Sequence, residues 1–449
     1  MNPPVTVESG LLEGVRAGDT FHFRGIPYAE ARRFGAPAPA SGWDGVRDAS
    51  RHGPICPQPP SRLAEVMGEP PPTPEDEACL TLSVTTPAVA SERPRPVMVW
   101  LHGGAYVVGA GSYDWYRADQ LVTEGDVVVV NVNYRLGVFG YLRLEGVSSG
   151  NLGLLDQIAA LRWIATNIAA FGGDPAQVTV FGESAGGHSV AVLMSIPETR
   201  GLFRRAILQS AHLGLGFMTV AGAERAGRAI RAHLGDADLR TASVERLLAA
   251  QQATIEKFGR PAELNSAPIY GPIAGVAPLP EPAQADITKA LVHDKTDLLI
   301  GSARDEMRAF FDTNSTMLRL RSFPVAGALL VDAIAAAVTR RVFAEPARRL
   351  ADAHARNGAT VYRYLFEWTP EKDVFGACHT IELPFVFGNE AAWRDSPMLA
   401  GTEWARVDAL GRRVRRAWTR FARHGDPNAA EDPSWPRHTA GAEVGRTFR

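Results

Sequence analysis

The sequence predicts an α/β fold, a mostly parallel, doubly wound sheet with helices on both faces and helical segments inserted over it. Three observations carry that expectation. Pro96–Leu101 and Val127–Val132 are almost continuously apolar, as strands covered on both faces are. Helix-compatible runs at Tyr113–Glu124 and Leu152–Ala169 alternate with the strands, and such alternation builds parallel sheets. Finally, Val178–Gly187 passes from β-branched and aromatic residues through a Gly-x-Ser-x-Gly turn into a helix-compatible run that ends near Ser195.

Taken in order, Val5–Ala29 alternates apolar and polar residues around turn signals at Ser9-Gly10 and Ala17-Gly18-Asp19, which predicts a small antiparallel hairpin or meander. Prolines are dense from Pro37 to Pro74, so no helix or central strand persists there and a long surface excursion is expected. Leu80–Val84 reads as a strand. Beyond the Ser184 turn, strands are expected at Ala206–Gln209, Asp297–Ile300 and Thr360–Phe366. Residues 221–290 and 315–357 are rich in Ala, Arg and Leu with Gly and Pro breaks, the pattern of helices capping the sheet. A last helix near Glu403–Arg423 ends at Arg423-His424-Gly425-Asp426-Pro427, basic residues followed by Gly and Pro. No internal repeat is present, and residues 1–449 read as one large domain.

Composition narrows the function. A net charge of −2 with both signs mixed along the chain leaves no basic stripe for nucleic acid or an anionic membrane. No uninterrupted apolar run reaches the ~18 residues of a membrane span. Met1–Val5 has neither the charged start nor the apolar core of a signal peptide, so a cytoplasmic protein is expected unless a leader has been removed. Cys56, Cys79 and Cys378 form no zinc spacing, and neither metal nor cofactor is expected. Cys56 and Cys79 bracket the proline-rich loop. Joined, they would contribute about 3 kcal/mol by loop entropy; in a reducing cytosol free thiols are expected.

The Gly-x-Ser-x-Gly turn pushes Ser184 out at the carboxyl end of a strand, beside a helix N-terminus, where a nucleophile can stand. Acyl transfer by a serine also needs a base, an acid to orient it, and donors for the developing oxyanion. After the strand ending at Leu101 comes His102-Gly103-Gly104-Ala105-Tyr106, and the N–H groups of Gly104, Ala105 and Ala185 make a candidate three-donor hole. One such donor is typically worth about 3–4 kcal/mol. Asp305 and Glu306 lie just past a strand end, and spacing does not choose between them; either can instead pair with Arg304 or Arg308. Of the histidines, His102 falls in the oxyanion loop and is expected to fix its shape, and His188 projects from the helix after the nucleophile in a packing or wall role. His379 lies in a loop C-terminal to the acid, which gives the order serine, acid, histidine.

These residues resemble the type-B carboxylesterases, the α/β-hydrolase family that includes cholinesterases and bacterial para-nitrobenzyl esterases. The similar blocks are Phe23–Ala29, Trp100–Ala105, Asn133–Gly137, Asn151–Gln157, Phe171–Pro175, the elbow itself, Ile207–Ser210, Asp305-Glu306 and His379–Gly388, weakest across the two helical segments. The resemblance implies a serine carboxylesterase with Ser184 as nucleophile, His379 as base and Glu306 rather than Asp305 as orienting acid. It implies oxyanion donors at Gly104, Ala105 and Ala185, an Arg135–Asp156 structural ion pair, support of Glu306 by Ser210, and Glu183 lining the site without doing the chemistry. Cys56 and Cys79 match a disulfide of secreted relatives. The loop between them holds no tryptophan for a cation–π contact, which argues against choline esters. Tyr106, Phe217, Phe310, Phe311 and Phe385 are candidates for the pocket wall and favour a small-molecule ester with an apolar or aryl acyl group, though each could equally be core. The same site could act on a carbamate, amide or thioester, and a non-catalytic binding protein is the remaining alternative. Nothing in the sequence sets an oligomeric state.

Overall fold

The computed structural model describes residues 4–89, 91–259, 267–280, 295–324 and 326–449. Its centre is a 10-stranded sheet. In chain order the strands are β1 (Val15–Ala17), β2 (Thr20–Pro27), β3 (Thr81–Pro87), β4 (Arg95–Leu101), β5 (Val128–Val132), β6 (Gly173–Glu183), β7 (Arg205–Gln209), β8 (Asp297–Ala303), β9 (Val361–Phe366) and β10 (Arg446–Phe448). Across the sheet they run β10-β9-β8-β7-β6-β4-β5-β3-β2-β1.

From β5 to β10 every pairing is parallel, while β3 pairs antiparallel with β5 and with β2, and β2 with β1. The expected N-terminal hairpin is therefore present as the antiparallel flank of the sheet. A separate small sheet of Val5–Val7, Gly10–Glu13 and Val46–Asp48 stands beside it.

Why the central strands read as uninterrupted apolar runs follows from their two covers. Along β4, Val97, Val99 and Leu101 face a core shared with Leu154, Ile158, Leu161 and Val190, residues of the Leu152–Asn167 and Ala185–Ser195 helices. Met98 and Trp100, the alternate residues, face a second core with Val414, Trp418 and Phe421 of the Trp404–His424 helix. The two-residue period of a strand thus sends successive side chains into opposite cores.

Trp100 is fully buried, with ring centroids at 5.1 Å from Tyr116, 4.8 Å from Phe181 and 4.9 Å from Phe387. Just after β5, Arg135 meets Asp156, which accepts from Arg135 Nε at 2.8 Å and Nη2 at 2.6 Å, and from the Arg135 backbone N–H at 3.1 Å. The implied ion pair forms, buried and bidentate.

Several expected boundaries shift. The run Tyr113–Glu124 divides into a 3-10 turn at Asp114–Tyr116 and a helix at Asp119–Gly125. The Leu152 helix ends at Asn167 and continues as a 3-10 turn, Ile168–Phe171. The first segment expected to cap the sheet, 221–290, contains helices Val220–Leu234 and Val244–Gly259; residues 260–266 and 281–290 of it lie outside the described residues. The second contains Ser315–Arg321, Gly327–Thr339 and Glu345–Arg356, with a wide turn at Arg340–Ala344. Among the described residues no helix is long and apolar enough to cross a membrane.

The chain direction across the sheet reverses between β4 and β6: β5 follows β4 on one side, and β6 to β10 follow on the other. Ligands of open α/β sheets bind outside the carboxyl ends of the strands at such a switch point. The loop after β4 is His102–Tyr106 and the residue after β6 is Ser184, so the topology brings those two segments side by side.

Replacing Trp100 by Ala removes an aromatic side chain from this packed layer. Destabilisation by about 3–5 kcal/mol is expected, measured as the loss of unfolding free energy in guanidinium chloride; a change under about 1 kcal/mol would contradict the assignment of Trp100 to the core.

Candidate active site

Ser184 is a non-glycine residue at φ 56°, ψ −121°, between the end of β6 and the Ala185–Ser195 helix. Its backbone is held from both sides: its N–H donates to the Gln209 carbonyl at 2.9 Å, and its carbonyl accepts from the His188 N–H at 2.8 Å. The flanking glycines are required by space. A Cβ on Gly186 would sit 1.9 Å from the Leu101 carbonyl oxygen, and one on Gly182 would sit 2.6 Å from the Gly186 carbonyl carbon and 2.7 Å from the Leu101 oxygen. β4, the turn and the helix therefore meet backbone to backbone.

The loop after β4 is tightly folded. Gly104, Ala105 and Tyr106 all have positive φ, and a Cβ on Gly104 would meet the Val108 carbonyl oxygen at 2.0 Å. His102 shapes this loop, as expected: its Nδ1 lies 2.8 Å from the Gly103 oxygen and its ring stacks on Tyr134 at 4.4 Å. A Cβ on Gly103 would lie 3.1 Å from the Cβ of Ser184, which places the loop directly over the serine. Among the described residues the N–H groups of Gly104 and Ala105 have no hydrogen-bond acceptor. The N–H of Ala185 belongs to the first turn of its helix, where no intrahelical partner exists.

Opposite these donors, Glu306 Oε2 is 2.5 Å from Nδ1 of His379, and Glu306 Oε1 accepts from the Ala303 N–H at 2.8 Å. Both side chains are buried. Asp305 does something else. It accepts from the Ala377 N–H at 3.0 Å and pairs with Arg304 at 2.8 Å, so it ties the histidine loop to the end of β8.

The other imidazole nitrogen, Nε2 of His379, lies 3.1 Å from Glu183 Oε1. No hydrogen bond joins it to the Ser184 hydroxyl in this structure, although Glu183 and Ser184 are adjacent in the chain. Catalytic hydrogen bonds are often loose in unliganded sites and tighten with substrate. Phe310 and Phe343 stand at 5.3 Å from the imidazole, one from the segment after β8 and the other from the wide turn at Arg340–Ala344.

Ser210 departs from its expected role. Glu306 already has both oxygens occupied, and the Ser210 hydroxyl donates instead to Glu382 Oε1 at 3.3 Å. Glu382 was missed from the sequence. It lies three residues after His379, one helical turn away, and its Oε2 accepts from the Tyr364 hydroxyl at 2.7 Å. Of the candidate wall aromatics, Phe385 is instead core, wedged between Phe366 at 5.0 Å and Trp368 at 4.9 Å. Phe311 packs with Met307, Val331 and Phe343. Cys56 and Cys79 are buried free thiols, the Cys79 pKa pushed up by its hydrogen bond with Cys56 and by burial.

Three carboxyl groups in one dry site cannot all stay charged at low cost. Burial raises the Glu183 pKa to about 7, against the pull of His379, and raises that of Glu382 to about 8, against the Tyr364 hydrogen bond. Burial alone would lower the His379 pKa, but Glu183 and Glu306 on either side of the ring carry it up to about 9.

A model of the carboxylesterase family matches residues 1–321 and 327–444 of the chain. The chain belongs to the carboxylesterase family. It is 45% identical over 435 residues to a Rhodococcus erythropolis protein named "Probable N-octanoylanthranilate hydrolase", covering 97% of this chain and 95% of the relative. It is 38% identical to the para-nitrobenzyl esterase of Bacillus subtilis (strain 168), over 97% of this chain and 92% of that one. Among solved structures, a thermophilic PNB esterase superposes with a TM-score of 0.82 at 36% identity, over 97% and 94% of the two chains. The α/β-hydrolase fold follows, and this carboxylesterase is a carboxylic ester hydrolase.

The carboxylate pair around His379 sets a pH prediction. If His379 acts as the base it must be neutral to do so, and the acid limb of kcat/KM then reports loss of the imidazolium proton. Glu183→Gln removes a negative charge that favours the imidazolium, lowers the histidine pKa and moves the acid limb to lower pH. A pH–rate profile with the limb unmoved would contradict this reading of Glu183.

Proposed function

We propose that this carboxylesterase works through an acyl-enzyme, with Ser184 as nucleophile, His379 as general base and acid, and Glu306 as the orienting carboxylate. The observation that carries the reading is the 2.5 Å Glu306–His379 pair, which holds the ring by Nδ1 and leaves Nε2 3.1 Å from Oε1 of Glu183, the residue before Ser184.

The Ser184 Oγ gives its proton to Nε2 and bonds to the ester carbonyl carbon. The tetrahedral oxyanion takes hydrogen bonds from the Gly104, Ala105 and Ala185 amides. The carbon–oxygen bond to the alcohol then breaks as Nε2 returns the proton to the departing oxygen, and a water molecule repeats both steps to release the acid and restore the serine. For the serine to reach Nε2, the ring must give up its approach to Glu183. A raised Glu183 pKa favours that exchange, because the neutral carboxyl holds the imidazole less strongly.

The substrate we propose is a small ester with an apolar or aryl acyl group. Phe310 and Phe343 beside the imidazole support an apolar group on the substrate, and the name of the Bacillus relative, para-nitrobenzyl esterase, supports an aryl ester with its aryl group on the alcohol side. A second reading, cleavage of an N-acyl bond by the same groups, is favoured by the name of the Rhodococcus relative.

Ser184→Ala is expected to lower kcat on para-nitrophenyl esters by about 10⁶-fold, by analogy with serine proteases. An organophosphate should label the enzyme stoichiometrically at Ser184, read by peptide mass spectrometry. Near-full activity in the variant, or label on a different residue, would refute the mechanism.

A further inference from the structure

Beside the nucleophile stands a second histidine cluster that the acyl-transfer chemistry does not use. His188, one turn into the helix after Ser184, and His212, just past β7, stack at 4.8 Å with their planes 28° apart. Tyr106 lies edge-on to both, and its hydroxyl meets His188 Nδ1 at 2.7 Å. Phe217 flanks His188 at 5.6 Å.

The cluster is short of partners. His212 is 5% exposed, and apart from its own backbone carbonyl neither ring nitrogen has a hydrogen-bond partner among the described residues. His188 Nε2 is likewise buried without one. Buried polar groups in native proteins are nearly always satisfied, and unsatisfied ones next to a reaction centre mark where a ligand supplies the partner. Burial lowers the His212 pKa to about 4 and holds the His188 pKa well below its ordinary value. Each ring is thus neutral near pH 7 and presents one donor and one acceptor. The carboxylates around His379 disfavour a further anion nearby.

Position selects the part of the substrate. Tyr106 follows Ala105 directly and His188 follows Ala185 by one turn, so two of the three rings stand on the segments that offer the oxyanion donors, and His212 stacks on His188 from the segment after β7. The alcohol must leave toward His379. We infer that His212, backed by His188, is a specificity residue whose imidazole hydrogen-bonds an uncharged polar group on the acyl chain of the substrate.

This inference rests on the esterase reading above, and the test separates the two. The probes are para-nitrophenyl esters of straight-chain acids and their analogues with one chain methylene replaced by an ether oxygen or a secondary amide, with a parallel series modified in the alcohol. In the wild-type enzyme, at one acyl position, the ratio of kcat/KM for the polar over the all-carbon ester should stand out from the other positions. His212→Phe keeps a ring in the stack but removes both nitrogens, and should lower that ratio about tenfold or more. His212→Asn, which keeps a donor and an acceptor, should retain more of it. Hydrolysis with the same ratio in the wild type and both variants, or a response confined to the alcohol series, overturns the inference and leaves the esterase reading standing. No hydrolysis of any ester overturns both.

Discussion

The structure depends on one close approach, where the last carbonyl of β4 lies against the turn and helix that carry Ser184. The Leu101 oxygen occupies the space a Cβ at position 186 would need, and Gly182 and Gly186 face each other across the same gap. Sheet, elbow and helix are consequently locked together without intervening side chains. A serine at positive φ costs about 1–3 kcal/mol, and the hydrogen bonds its backbone gives to the Gln209 carbonyl and takes from the His188 N–H offset part of that. The strained geometry points the hydroxyl out of the sheet. The same contact lays the Gly103–Ala105 loop over the serine, so the proposed nucleophile and the proposed oxyanion donors are positioned by a single packing event at the topological switch point.

Around this rigid half, the histidine half of the site is assembled from separate loops. Asp305 fastens residues 376–379 to the end of β8, while Glu306, the next residue, turns inward and holds the imidazole. Adjacent carboxylates thus take different tasks because one is partly open to solvent and the other is enclosed. Glu183, Glu306 and Glu382 converge on one buried region, and burial raises the pKa of Glu183 and Glu382. In the proposed mechanism the proton balance among these groups, with His379 between two of them, sets when the imidazole is free to act as a base.

Much of this arrangement is legible in the sequence. The strand and helix order follows from periodicity, because strands buried on both faces carry unbroken apolar runs. The elbow and the glycine loop can be read because each needs a residue type, glycine, that the close approach dictates. Spacing alone leaves Asp305 and Glu306 equivalent; only the path of the chain after β8 separates the solvent-side carboxylate from the inward one, and the family resemblance had to choose. The resemblance pairs Ser210 with Glu306, whereas its hydroxyl meets Glu382: two buried glutamates share that end of the sheet, and a partner across 172 residues leaves no local signal. β10, a three-residue strand at the sheet edge, is too short for periodicity to show. Phe385 was a candidate for the pocket wall, yet it belongs to the far core, since an aromatic residue near a catalytic histidine in sequence can face either side of the sheet.

In the proposed mechanism the hydroxyl at 184 and the imidazole at 379 act on one reacting centre. A crystal structure of the enzyme inactivated by an alkyl phosphonate tests it most directly. The account predicts phosphorus bonded to Ser184 Oγ, the phosphoryl oxygen within about 3 Å of the Gly104, Ala105 and Ala185 nitrogens, and His379 Nε2 within hydrogen-bond reach of the phosphonate or the serine oxygen. An adduct whose phosphoryl oxygen faces away from those amides, with His379 still directed at Glu183, would contradict it.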